Sequence, residues 1–150
     1  MAASVKAYLK LVDRSGFKLE KCLDQEFCAN LLRMGFADLK GNVEILEALD
    51  LLATGKVAIE GRTGWDEALR YASMLGVKLS LFLVYHDLRR RGRKAKLGSR
   101  PNTLILNLGS RKTEILVLEE GTPMTLENLA EWSRSAISSG YEPVVAVVDK

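Results

Sequence analysis

The side chains able to do chemistry are unevenly spread along these 150 residues. Between His86 and Arg100 stand Arg89, Arg90, Arg91, Arg93, Lys94, Lys96 and Arg100, against a single acid, Asp87. That segment is +6, while the other residues carry 15 basic and 18 acidic groups. The whole formal charge of +3 therefore originates in one place. A local field of that sign attracts polyanions. Lys and Arg set against phosphates release counterions and bind with little sequence preference. The seven cations are candidate RNA contacts on that ground; a solvated cationic face is the bland reading of the same run.

Other chemistries find less support. His86 is the sole histidine, so it cannot build a His-rich metal site; beside Tyr85 in an apolar run it reads as a helix-surface or interface residue. Cys22 and Cys28 fit no zinc or redox spacing. They read as two reduced thiols packed near a helix. A metal nuclease needs clustered carboxylates around Mg²⁺. Glu114, however, is followed by Ile115 and Leu116 with no lysine, and Asp87 has no visible partner. No metal and no cofactor is expected, and the glycine-rich nucleotide motifs are absent. Metal-free RNA cleavage would need a base for the 2′-hydroxyl, an acid for the leaving oxygen and a cation for the developing charge. Composition alone shows no such trio in the C-terminal half.

The elements that must hold these residues follow from periodicity. Hydrophobic content of 47% with 27% charged residues suits a soluble globular chain. The start MAASVKAYLK lacks a signal-peptide apolar region, and no run is long enough to span a membrane. A cytoplasmic location is the expectation. Alternation over Val5–Val12 predicts a strand, with a turn at DRSG and a second short strand at Phe17–Lys21. Asp24 is placed to cap a helix whose face is Phe27, Leu31 and Leu32. Asn42 is placed to cap another, over Val43–Thr54, and KVAIE reads as a strand. Gly-Arg-Thr-Gly around 61–64 suggests a domain junction, giving an N-terminal domain over 1–60 and a C-terminal domain over 61–150. Thr63 and Asp66 resemble a capping box for a helix buried through Trp65, Leu69 and Ala72.

LSLFLVY has the composition of a strand, yet Leu81, Val84, Tyr85 and Leu88 keep helical spacing. The spacing predicts a helix over 78–91, with arginines in its last turn and Gly92 after it. A strand follows from Arg93 to Leu97, then a loop, a strand over Thr103–Leu108, a turn, and its partner Glu114–Leu118. Glu119-Glu120-Gly121-Thr122-Pro123 is an acidic loop. Thr125 is placed to cap a helix reaching about Ser138, with Leu129, Ala130, Ser133, Ala136 and Ile137 inward. PVVAVV over 143–148 has the pattern of a strand buried on both faces. The fold class is α/β (α+β): a small N-terminal α/β domain, then a nuclease-like domain with a mixed central sheet flanked by helices.

At these residues a family resemblance is visible. Tyr85-His86-Asp87-Leu88-Arg89-Arg90-Arg91-Gly92, then Lys96-Leu97-Gly98 and the strand Thr103-Leu104-Ile105-Leu106, resembles the archaeal tRNA-splicing endonucleases. The likeness extends to Val43–Glu60 and to Leu126–Asp149, so it covers about 43–150. It implies a metal-independent RNA cleavage that uses tyrosine, histidine and lysine. The tyrosine position is held here by Leu106, the histidine position by Lys112 and the lysine position by Tyr141 or Glu142. No histidine follows His86.

The resemblance thus implies a structural subunit without the catalytic set, joined to catalytic chains in a two-plus-two heterotetramer. Its substrate would be precursor tRNA, cut at bulge-helix-bulge sites recognised by shape. It also implies interfaces. Val144, Val145 and Val147 would pair across a dimer, and an acidic loop with Glu119 and Glu120 would enter a basic pocket of a neighbouring dimer. The alternative from another class is a stand-alone basic RNA- or DNA-binding module.

Overall fold

The computed structural model describes residues 4–149. The chain divides into two compact units, Met1–Val77 and Lys78–Lys150. The division falls later than the glycine-rich stretch at 61–64. The reason is the helix α3 (Trp65–Met74), which packs on α2 (Ile45–Ala53) inside the first unit.

The first unit holds a four-stranded sheet in the order β3-β2-β1-β4. Its strands are β1 (Ala7–Leu11), β2 (Phe17–Cys22), β3 (Asn42–Val43) and β4 (Val57–Ile59). β1 pairs antiparallel with β2 and parallel with β4. Alternation puts Ala7, Leu9 and Phe17 on the core face, and the Phe17 ring meets Tyr71 of α3 edge-on at 5.8 Å. Asp24 caps α1 (Gln25–Arg33) as expected: its carboxylate accepts from the Phe27 amide at 3.1 Å. Of the expected apolar face, Leu31 is buried while Leu32 stands exposed.

Four local expectations give way to tertiary structure. Asn42 does not cap a helix; with Val43 it forms β3 against β2, and α2 starts three residues later. Thr63 is not a helix cap either. Its hydroxyl is shared between the carbonyls of Val57 at 2.7 Å and Leu52 at 3.0 Å, which ties the end of α2 to β4. The buried stripe of α3 is Ala68, Tyr71 and Ala72, leaving Trp65 and Leu69 part-exposed. Finally, Cys22 and Cys28 are not thiols but a disulfide. Cys22 ends β2, Cys28 lies in the first turns of α1, and the capped turn between them brings their Cα atoms to 6.5 Å, within bonding reach.

The second unit is the helix α4 (Leu79–Arg90), a sheet in the order β5-β6-β7-β8, and the helix α5 (Leu126–Ser138). The strands are β5 (Ala95–Leu97), β6 (Thr103–Leu108), β7 (Arg111–Glu119) and β8 (Glu142–Val148). The strand-like composition of α4 is resolved as helix, with Leu81, Phe82 and Tyr85 buried. Thr125 caps α5 by accepting from the Asn128 amide at 3.0 Å. The buried stripe of α5 runs through Trp132 and Ala136, so Ala130 and Ile137, rotated away from it around the helix, face outward. No helix among the described residues is long and apolar enough to cross a membrane.

β8 departs most from its sequence pattern. PVVAVV is not buried on both faces: β8 has one neighbour, β7, and none of its residues is fully buried. A strand at the end of a sheet has a free hydrogen-bonding edge, whatever its composition.

Candidate functional site at one end of the C-terminal sheet

Strand alternation sets two working faces on the second sheet. Ile115 of β7 faces α4; with Leu83, Val84, Leu88, Val144 and Ala146 it lines an apolar groove of about 420 Å³. Glu114, one residue earlier, faces α5. It is buried, and its carboxyl oxygen accepts from the Trp132 indole nitrogen at 2.6 Å. This pair fastens α5 to the middle of the sheet. The sequence held a signal for it: one acid inside the apolar run TEILVL, and one tryptophan on the next helix.

The basic segment is anchored by two glycines. Gly92 follows α4 with φ of 75°, the left-handed turn that a glycine adopts at no cost, and sends the chain into β5. Gly98 lies so close to Thr103 that an added Cβ would collide with its hydroxyl oxygen. That hydroxyl donates to the Arg100 carbonyl at 2.7 Å and closes the loop before β6. The glycine of the lysine-x-glycine motif is thus explained by the close approach of the Thr103 side chain.

The structure disperses the seven cations. Arg90, Arg91 and Arg93 are exposed at the end of α4, where Arg91 pairs with Asp87 at 3.0 Å. Arg89 and Lys94 are half-buried. Lys96 shares a row with Ile105, Glu114 and Pro143, on the α5 side of the sheet. Arg100 lies on that side too, and its guanidinium donates to the Ser135 hydroxyl of α5. His86 is a half-buried helix residue.

The positions that the resemblance assigns to tyrosine, histidine and lysine lie at one end of the sheet. Leu106 of β6 pairs with Thr113 of β7, and Thr113 pairs with Glu142 of β8. Lys112 sits one residue away, opposite Asn107. Leu106, Thr113 and Glu142 therefore share one face at this end of the sheet, Lys112 lies on the opposite face, and Tyr141 stands just before β8. Leu106 is buried, Lys112 and Glu142 are exposed, and Tyr141 is half-buried with its amide bonded to the Ala136 carbonyl at 2.9 Å. Thr113, the hub of the row, escaped the sequence reading because cross-strand register is non-local. Leu106 has nothing to donate, a lysine is a weak acid source at neutral pH, and a carboxylate has the wrong sign for a developing anion.

At the opposite end, Glu119 closes β7 and the Glu120 amide donates to the Val148 carbonyl at 2.8 Å. A hydrogen bond with the Asp149 carboxyl holds the Glu120 carboxyl above its ordinary range, with partial desolvation acting the same way. Val144, Val145 and Val147 all lie on β8, at the sheet edge, each at least 40% exposed.

Residues 79–150 match the family model described as tRNA intron endonuclease, catalytic C-terminal domain. No curated protein matches the chain closely enough to stand as a relative. The matched span is the second unit almost from end to end. The second unit is similar to the C-terminal domain of the tRNA intron endonucleases, a likeness that supports a role in tRNA splicing.

Proposed function

We propose that this chain is the structural, non-catalytic subunit of a tRNA-splicing endonuclease. It assembles with catalytic chains, two of each, to excise introns from precursor tRNA at bulge-helix-bulge sites. The observation that carries the reading is the row Leu106, Thr113, Glu142 with Lys112 beside it. Where the resemblance calls for tyrosine, histidine and lysine, the sheet end offers a buried leucine, an exposed lysine and an exposed carboxylate.

Two further features support a partner-dependent role. The edge strand β8 is seven residues long, apolar and uncovered by a further strand, the condition that natural sheets blunt or pair. The acidic turn at Glu119 and Glu120 follows β7 beside the end of β8, with Glu120 exposed, suited to a basic pocket on another chain. The cations of 89–100 supply phosphate contacts to a substrate recognised by shape. A tRNA substrate and archaeal, cytoplasmic origin accompany this reading.

The test is a cleavage assay with an intron-containing precursor tRNA, without metal. The chain alone is expected to leave the RNA intact, and adding a catalytic chain of the family is expected to give cleavage together with a two-plus-two mass by native mass spectrometry. Cleavage by this chain alone would sink the proposal. Salt-sensitive RNA binding by a monomer that never joins a catalytic chain would favour the stand-alone module instead.

A further inference from the structure

The N-terminal sheet has a second face, opposite the one that Phe17 and Tyr71 close. Alternation assigns Tyr8 and Lys10 of β1 and Lys18 of β2 to it, since their neighbours Ala7, Leu9 and Phe17 are buried. The register then makes an unusual pair. Lys10 stands directly opposite Lys18, and Asn42 of β3 continues the same row. In the next row Tyr8 stands opposite Lys21, at a bulge where the register shifts. Lys10 and Lys21 are exposed; Lys18 and Tyr8 are half-buried.

Two like charges directly across an antiparallel pair destabilise it. Nearby Lys6 has its counter-ion, Asp24 at 3.2 Å. Among the described residues, Lys10, Lys18 and Lys21 make no ion pair. Glu20, the extra residue of the bulge, is the one acid in these two strands. The face therefore presents three ammonium groups around one tyrosine, an arrangement that repels itself until an anion joins it. Strand geometry spaces Tyr8 and Lys10 about 6.8 Å apart along β1. Cations tracking a backbone, with an aromatic ring among them, are the elements of a surface for a polynucleotide strand.

We propose that the Lys10, Lys18, Lys21 and Tyr8 face of the N-terminal sheet is a second RNA-contacting surface, apart from the basic segment at 89–100. It takes the sugar-phosphate backbone, with Tyr8 offering a stacking or hydrogen-bonding edge. The identity of the RNA, an intron-containing precursor tRNA, rests on the function proposed above; the polyanion contact rests on the register.

The test uses the full chain and transcribed intron-containing precursor tRNA, with affinity measured across a salt series. Replacing Lys10, Lys18 and Lys21 together by alanine is expected to weaken binding at low salt at least tenfold. It is also expected to lower the slope of log K against log salt by ~2–3, since each lost phosphate contact removes ~0.7–0.9. The single change Lys18→Glu is the sharper variant. It converts the repulsive Lys10 pair into an attractive one, so thermal stability is expected to rise while RNA affinity falls. A structural lysine would move both in the same direction.

Unchanged affinity and slope in both variants overturns the surface. If Arg90→Ala, Arg91→Ala and Arg93→Ala then lower binding, the splicing reading stands without it. Equal binding of wild-type chain to polyglutamate and to RNA also overturns it, in favour of an acidic protein partner. Cleavage by the chain alone tells against the function reading and leaves the salt measurement valid.

Discussion

The two sheets share a plan and differ at one edge. Each has four strands, two antiparallel pairings and one parallel pairing that puts the last strand in the sequence at the end of the sheet. In the N-terminal sheet that strand is β4, three residues long and wholly buried. Ile59 and Arg62 then exchange backbone bonds at 2.9 and 3.0 Å, which turns the chain away at once. In the C-terminal sheet it is β8, seven residues long with none fully buried. Short, covered edges end a sheet, whereas long apolar ones extend it with another chain. The first sheet is finished within its unit; the second has an edge suited to a partner.

The largest expected effect breaks this contrast at its open side. Val145→Asp puts a carboxylate in the middle of β8. If this edge pairs with a second chain, burying an uncompensated charge there costs ~3–5 kcal/mol, about two to four orders of magnitude in Kd. Native mass spectrometry of the assembly should then show dissociated chains. An unchanged mass would mean that the edge is open for some reason other than assembly. In the finished sheet, an exposed substitution such as Lys21→Asp should leave the mass untouched.

A smaller effect separates edge from interior. Trp132→Phe removes the donor to Glu114 and leaves a buried carboxyl without this partner. The expected loss is ~1–3 kcal/mol in denaturant unfolding, with α5 loosened from β7. A loss below ~0.5 kcal/mol would show that the bond does not fasten the helix. Because the pair lies inside the unit, assembly should survive the change.

These differences mark how far the sequence carries. Local chemistry was legible: the caps at Asp24 and Thr125, the turn at Gly92, and helical spacing in α4 that outweighed its strand-like composition. Features that depend on distant partners were not. β3 is two residues that become a strand because β2 lies beside them. Thr63 looked like a cap, but its hydroxyl satisfies carbonyls eleven and six residues back. The Cys22 to Cys28 bond requires the turn geometry, which spacing alone does not contain. For the candidate site, residue types were readable at Leu106, Lys112 and Glu142. That Leu106 and Glu142 flank Thr113 was not, since it needs two strand registers at once. β8 was misjudged for a related reason: an apolar run signals burial without saying whether the cover comes from its own chain.

The smallest expected effect is one of pH, and it has opposite signs in the two units. In the N-terminal unit the Phe27 amide, followed by Lys6, holds Asp24 below its ordinary value of 3.8. Its stabilising contribution is present above 3.8 and is lost as pH falls through the lowered value. In the C-terminal unit Glu120 is raised above 4.5 by its bond to Asp149. Its contribution is present below 4.5 and is lost as pH rises through the raised value, because the shared proton leaves and two carboxylates face each other. Glu120→Gln keeps a donor toward Asp149 at every pH, so the variant should gain thermal stability relative to wild type only as pH rises through that window. Asp24→Asn should lose stability relative to wild type near neutral pH, with the gap closing as pH falls below 3.8. Parallel pH profiles for both variants would erase the contrast between the charged cap that completes the first unit and the proton-sharing turn at the open edge of the second.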